Sequence, residues 1–287
     1  TATDDCGNSS QASQTISVTD NTPPVLSALP GPTSIECPAT PNFATPTATD
    51  ACDQNVTPTF NDVTTPGTCP QEYSTTRTWT ATDDCGNSSQ RSQTISVTDN
   101  TPPVISSLPA PSSIECPATP NFATPTATDA CDQNVVPTFN DVTTPGTCPQ
   151  EYSTTRTWTA TDDCGNTSTA SQTISVTDNT APVLSALPGP SSVECPATPN
   201  FATPTATDAC DQSVIPTFAD VTTPGNCPGV YSITRTWTAT DDCRNSSAAS
   251  QTINVQDVTP PTISCPSVVS PIQCPNLPVF PTPSYGD

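Results

Sequence analysis

The sequence predicts an all-β chain built as a tandem array of small antiparallel β-sandwich modules. Three observations carry this. Cys6, Cys85, Cys164 and Cys243 are spaced 79 residues apart, as are Cys37, Cys116, Cys195 and Cys274, and a fixed period of this kind marks a repeat architecture. Within each copy, side chains alternate with period two and no helical periodicity occurs. Short runs rich in Thr, Val and Ile are separated by Pro, Gly and Asn turns.

The period defines three whole modules, 21–99, 100–178 and 179–257. They lie between the C-terminal part of one module (1–20) and the N-terminal part of a further, variant module (258–287). The first two whole modules differ at 8 of 79 positions. The chain reads as a window of something longer. No apolar run approaches the ~20 residues that cross a bilayer, so this window is expected to be soluble.

In the first whole module, Asn21–Pro24 reads as a stiff linker because proline fixes its own φ and restricts the residue before it. Val25–Leu29 and Ser34–Cys37 read as proline-interrupted edge strands. An alternating segment, Phe43–Asp50, leads into a turn at Asp50–Asn55, and Val56–Val63 follows as a strand. After a Pro/Gly turn at Thr64–Pro70 comes the strongest strand, Tyr73–Thr82. Tyr73, Thr75, Arg77, Trp79 and Ala81 share one of its faces. Ile233 stands at the Thr75 position of the third module, which turns that face inward. Arg77 is expected to lay its stem along the core rim and pair with an acid such as Asp62 or Glu72. After a turn at Asp83–Asn87, Gln93–Asp99 returns with Ile95 and Val97 inward.

Composition narrows the function. With 27 acids, five arginines, no lysine and no histidine, the chain has little to neutralise phosphates, which excludes nucleic acid as a partner. The 37 prolines raise a disordered stalk as an alternative, but regular cysteines, fixed aromatic positions and clean alternation argue for packed modules. Fifteen cysteines without histidine indicate disulfides and an extracellular or cell-surface location. A four-thiolate zinc site is the rival, and no C-x-x-C pair supports it.

Tyr73–Asn87 (YSTTRTWTATDDCGN) followed by Ile95–Val104 (ISVTDNTPPV) resembles the hyalin repeat (HYR) and, more strongly, the tandem Ig-like repeats of very large secreted adhesins from gliding Bacteroidetes. The resemblance covers the whole chain. It implies extracellular Ig-like sandwiches used as spacer, stalk or adhesive tract. Arg244 departs from the pattern by replacing the turn glycine.

On an immunoglobulin-type topology, Cys52 and Cys85 fall at the pole where the module begins, and Cys37 and Cys69 at the other. Of the three connectivities open to four cysteines, this favours two bridges inside each module: Cys37–Cys69 and Cys52–Cys85, Cys116–Cys148 and Cys131–Cys164, Cys195–Cys227 and Cys210–Cys243. Cys6, Cys265 and Cys274 are left without assigned partners.

Acids converge at the leading pole: Asp20, Asn21, Asp50, Asp53, Asp83 and Asp84 in the first module; Asp99, Asn100, Asp129, Asp132, Asp162 and Asp163 in the second; Asp178, Asn179, Asp208, Asp211, Asp241 and Asp242 in the third. Two readings stand side by side. These groups hold Ca²⁺ between modules, a layout similar to cadherin junctions, or they cap their own turns and stay solvated. No cofactor is required in either case. Sequons at Asn8, Asn55, Asn87, Asn166 and Asn245 are candidate glycan sites.

No nucleophile, base and orienting group are assembled, so an enzyme is not expected. The leading expectation is a rigid rod, stalk or filament shaft whose partners are further modules or laterally associated copies. The alternative is a ligand-binding adhesin tract for glycan, mineral or ice.

Overall fold

A computed structural model describes residues 1–265 and 282–286. Secondary structure among these residues is entirely strand. The chain divides into two compact units. One comprises Thr1–Ala110, Phe122–Asp141 and Arg156–Gln172, and the other Pro111–Asn121, Val142–Thr155 and Thr173–Asp287.

The first repeat contains six strands: β1 (Val25–Leu26), β2 (Thr33–Glu36), β3 (Ala48–Thr49), β4 (Thr59–Pro66), β5 (Tyr73–Thr82) and β6 (Ser88–Thr98). Strands β1 and β3 pair as a small antiparallel sheet. The larger sheet has the order β2-β6-β5-β4, with β5 antiparallel to both β4 and β6. The same six-strand order recurs over Val104–Thr177 and Val183–Gln256. Strand β5 has the bounds read from the sequence. Strands β1 and β3 are shorter than expected, and β4 runs on through Pro66.

One pairing differs from an all-antiparallel sandwich. Strand β2 lies parallel to the end of β6, with Thr33 opposite Ile95 and Glu36 opposite Thr98. Pro30 and Pro32 interrupt the segment after β1, so the chain leaves the small sheet and joins the large one without reversing direction.

The core of this repeat gathers Leu26, Trp79 and Ala81, with Leu29, Ala48 and Val56 packed against them. Ile95 and Val97 are also buried. Alternation in β5 buries Thr75, Trp79 and Ala81 while Tyr73 and Arg77 stay half-buried, as an inward Tyr/Trp face requires. Gln93 is buried on the same side, and its Oε1 accepts the Ala44 N–H at 3.2 Å. Strand β4 is exposed at all eight positions. Gly67 has no room for a side chain, because a Cβ there would sit 2.5 Å from Glu72 Cβ.

Arg77 finds one of the two acids anticipated for it. Its Nε and Nη2 donate to the two Asp62 carboxylate oxygens, both at 2.7 Å, and this pairing holds the Asp62 carboxyl below its ordinary range. The guanidinium also lies 3.9 Å from the Phe60 ring centroid and 4.6 Å from that of Phe43. An exposed ion pair contributes little in water, whereas stem packing and ring stacking are lost together with the side chain. Arg77→Ala is therefore expected to cost about 1–2 kcal/mol and Asp62→Asn much less. Denaturant midpoints of the two variants check this, and equal losses would contradict it.

Arg244 keeps the turn it seemed to threaten. Its φ is 75°, against 91° for Gly86 at the same position of the first repeat. The turn hydrogen bond is preserved too, from the residue 244 N–H to Asp241 O at 3.2 Å. The left-handed backbone costs a non-glycine residue roughly 1–2 kcal/mol, which the surrounding turn sustains.

Candidate functional site at the repeat junction

The cysteines correct the expected connectivity. Cys37 is bonded to Cys131, Cys69 to Cys164, Cys116 to Cys210 and Cys148 to Cys243. Every bridge leaves its own repeat and enters the next, across sequence separations of 94 or 95 residues. None of the pairs Cys37–Cys69, Cys52–Cys85, Cys116–Cys148, Cys131–Cys164, Cys195–Cys227 or Cys210–Cys243 forms. The assignment of poles was sound, with Cys37 and Cys69 at one end of a repeat and Cys131 and Cys164 at the facing end of the next. The error lay in treating each copy as closed. Where two ends abut, the partner across the junction lies at Cα–Cα 5.7 Å or 5.1 Å, within ordinary disulfide reach.

Cys6, Cys52, Cys85, Cys227 and Cys265 are free thiols among the described residues, and Cys274 lies outside those residues. Cys52 and Cys85 occupy the positions at which Cys131 and Cys164 receive their bridges. They share a cleft with Asp20, Asp53, Asp83 and Asp84. The Asp20 charge, with burial next, pushes the Cys52 thiol up, whereas burial leads at Cys85, ahead of Asp20.

Hydrogen bonds fasten the same junction. Asn166 Nδ2 donates to Asp99 O at 3.0 Å and to Asp162 Oδ2 at 2.9 Å, bolting the incoming linker to a turn of the second repeat. Asn245 repeats this on Asp178 O and Asp241. On the linker's other side, Glu36 accepts the Asn100 N–H at 2.6 Å, the Asn100 side-chain amide at 3.2 Å and the Thr101 hydroxyl at 2.9 Å. These bonds, led by the Asn100 N–H, hold the Glu36 carboxyl below its usual value. Glu115 does the same for Asn179 and Thr180. Sequence reasoning missed Glu36 and Glu115, for which the only signal was their place one residue before a repeated cysteine.

These contacts sort the predicted ligands. Asn100 and Asn179 turn their amides to a glutamate as donors rather than to a cation. Asp129 Oδ1 caps the Cys131 and Asp132 N–H groups, Asp132 caps Asn134 and Asp163, and Asp162 Oδ1 caps Cys164 and Asn166. Asp208, Asp211 and Asp241 act alike in the third repeat, and Asp50, Asp53 and Asp83 in the first. Turn capping thus accounts for most of the acids, and Asp84, Asp163 and Asp242 are exposed. Asp20 caps the Thr22 N–H, and Asn21 is exposed.

Asp99 and Asp178 differ. Each is 3 % exposed, and burial pushes each carboxyl up, with the charges of neighbouring aspartates adding to the shift. At the candidate glycan positions Asn87, Asn166 and Asn245 the amides are half-buried and already bonded at the turn. A sugar on Nδ2 would displace those bonds.

Fold and junction together define a class: a tandem array of small β-sandwiches in which each repeat is cross-linked to its neighbour. Residues 25–97, 104–176 and 184–255 match the family described as the HYR-like domain with 4 cysteines. The chain belongs to that family.

Among curated relatives it is similar to hyalin of Strongylocentrotus purpuratus, with 32 % identity over 295 residues, covering 93 % of this chain and 24 % of that protein. It is also similar to hyalin of Lytechinus variegatus, with 32 % identity over 245 residues, covering 78 % and 44 %. The chain thus spans less than half the length of either relative. Similar solved structures include the protocadherin GammaB4 extracellular domain, at 17 % identity and TM-score 0.38, covering 87 % of this chain and 52 % of that one. Mouse cadherin-23 EC22-24 matches at 14 % identity and TM-score 0.36, with coverages of 83 % and 100 %. Hyalin-like repeats rich in disulfides point to an extracellular or cell-surface setting.

Proposed function

We propose that this chain is a load-bearing spacer tract of a large extracellular adhesin or fibre, a stiff rod or shaft whose repeats transmit tension. The observation that carries this reading is the crossing of each junction by two disulfides, Cys37–Cys131 with Cys69–Cys164 and Cys116–Cys210 with Cys148–Cys243. A repeat used only as a folded binding module gains equally from internal bridges. Bridges between repeats share a pulling force among three covalent connections at the joint, the backbone and two disulfides.

Small-angle scattering of the oxidised chain tests the shape. A compact globule of 287 residues would have a radius of gyration of about 19 Å. Three end-to-end sandwiches with strands of about 33 Å make a rod about 100 Å long, with a radius of gyration of roughly 30 Å, about one and a half times the globular value. A value near 19 Å would overturn the rod.

A second reading, adhesion between copies, draws on strand β4, exposed along its length with Phe60 at 53 % and Val63 at 58 %. Its counterparts at Thr138–Pro145 and Thr217–Pro224 are equally exposed. Such free edges are templates for pairing with another chain. The same scattering series reads this association as a mass that rises with concentration.

A further inference from the structure

Two carboxylate oxygens at the junction before the second repeat, and two at the junction before the third, have no hydrogen-bond partner. Asp99 Oδ1 accepts the Thr101 N–H at 3.3 Å, while its Oδ2 is buried without a hydrogen bond. Asp129 spends Oδ1 on two backbone N–H groups and leaves Oδ2 buried and unbonded as well. Asp178 Oδ2 and Asp208 Oδ2 repeat this at the next junction. Asp99 is 3 % exposed, and the charges of Asp129, Asp162 and Glu36 bear on it. An Asp99 oxygen also lies within 4.8 Å of both Cys37 Sγ and Cys131 Sγ. At the corresponding place in the first repeat, Asp20, Asp50 and Cys52 lie within 4.8 Å of one another, but neither aspartate carries a buried unpartnered oxygen, so no ion is expected there.

A buried carboxylate oxygen without a donor costs on the order of 1–3 kcal/mol or more, and the charge of the neighbouring Asp129 adds repulsion. The chain offers no remedy. It has no lysine or histidine, Arg77, Arg156 and Arg235 are committed to Asp62, Asp141 and Asp220, and Arg91 and Arg244 are exposed and make no ion pair among the described residues. The neighbouring bridge sulfurs carry no proton to donate. Something from solution must supply the positive charge.

We propose that each junction binds one hard divalent cation of the Ca²⁺ type between Asp99 Oδ2 and Asp129 Oδ2, and between Asp178 Oδ2 and Asp208 Oδ2, with water completing its shell. Oxygen-only ligation and two carboxylates suit Ca²⁺ over softer metals. So small a protein ligand set belongs to the weak extracellular range, with Kd roughly 0.1–1 mM. The site is confined to two of the acids at each junction, because capping consumes the others. It holds whether or not the array bears load, so its test is separate from the scattering result.

Calcium titrated calorimetrically into the oxidised, chelator-treated chain should report two ions. Asp99→Asn or Asp178→Asn should reduce this to one and the double variant to none, whereas Asp163→Asn, at an exposed turn, should leave two. Calcium should raise the melting midpoint of the parent chain and not that of the double variant. Undiminished calcium binding by the double variant would overturn the proposal. So would an absence of binding by the parent chain at millimolar calcium, with the double variant melting higher than the parent, since the asparagines would then be mimicking a shared proton.

Discussion

Pulled by its ends under oxidising conditions, the chain is expected to reach only about a third of its backbone length. The shortest covalent route runs from Thr1 to Cys37, crosses to Cys131, follows the backbone to Cys148, crosses to Cys243 and continues to Asp287. That route holds about 100 residues, which at roughly 3.5 Å each span about 350 Å. All 287 residues would span about 1,000 Å. Bridges inside each repeat would leave about 190 residues in the route, or about 670 Å, so the contour length alone separates the two connectivities.

Within a longer array the clamp is tighter. A repeat bridged on both sides can be entered at Cys131 and left at Cys116, a route of about 50 Å when extended. Its ten-residue strand Tyr152–Thr161 is already about 33 Å long when folded, so the repeat gives little even if its sheets part. Single-molecule extension before and after reduction measures this. Steps above about 200 Å per repeat in the oxidised chain would show that the bridges do not carry the load.

The strands were legible because alternation and turn residues are local signals. Tyr73–Thr82 and the return through Ile95 and Val97 could be read from parity alone. The parallel β2–β6 pair could not, because it depends on which sheet the chain joins after Pro32. Disulfide pairing failed for a physical reason too. The spacings place alternate cysteines at alternate ends of a sandwich, and an intra-repeat and an inter-repeat partner then sit at the same pole of the pattern. In near-identical copies, nothing in the residues marks Cys131 as a better partner for Cys37 than Cys69 is. Acid clustering was visible for a similar local reason. Which oxygens remain unpartnered after turn capping depends on hydrogen bonds that only the assembled junction makes.

A single repeat, residues 100–178 expressed alone, is expected to be largely unfolded at 25 °C. Its four cysteines, Cys116, Cys131, Cys148 and Cys164, find all their partners outside it, at Cys210, Cys37, Cys243 and Cys69. In the chain-entropy model, a bridge closing a loop of about 95 residues contributes roughly 4–5 kcal/mol. The whole stability of a domain this size is only about 4–12 kcal/mol. The apolar core left to it is small, built on Trp158, Ala160, Ile174 and Val176. Linker contacts from Asn100 and Thr101 to Glu36 are lost as well. Circular dichroism through a urea titration, with thiol counting, provides the check. The expected result is four reactive thiols and little or no cooperative transition, against a steep transition for the three-repeat oxidised chain. An isolated repeat that melts like the array and exposes no thiols would return the bridges to the interior of each repeat and remove the basis for a cross-linked tract.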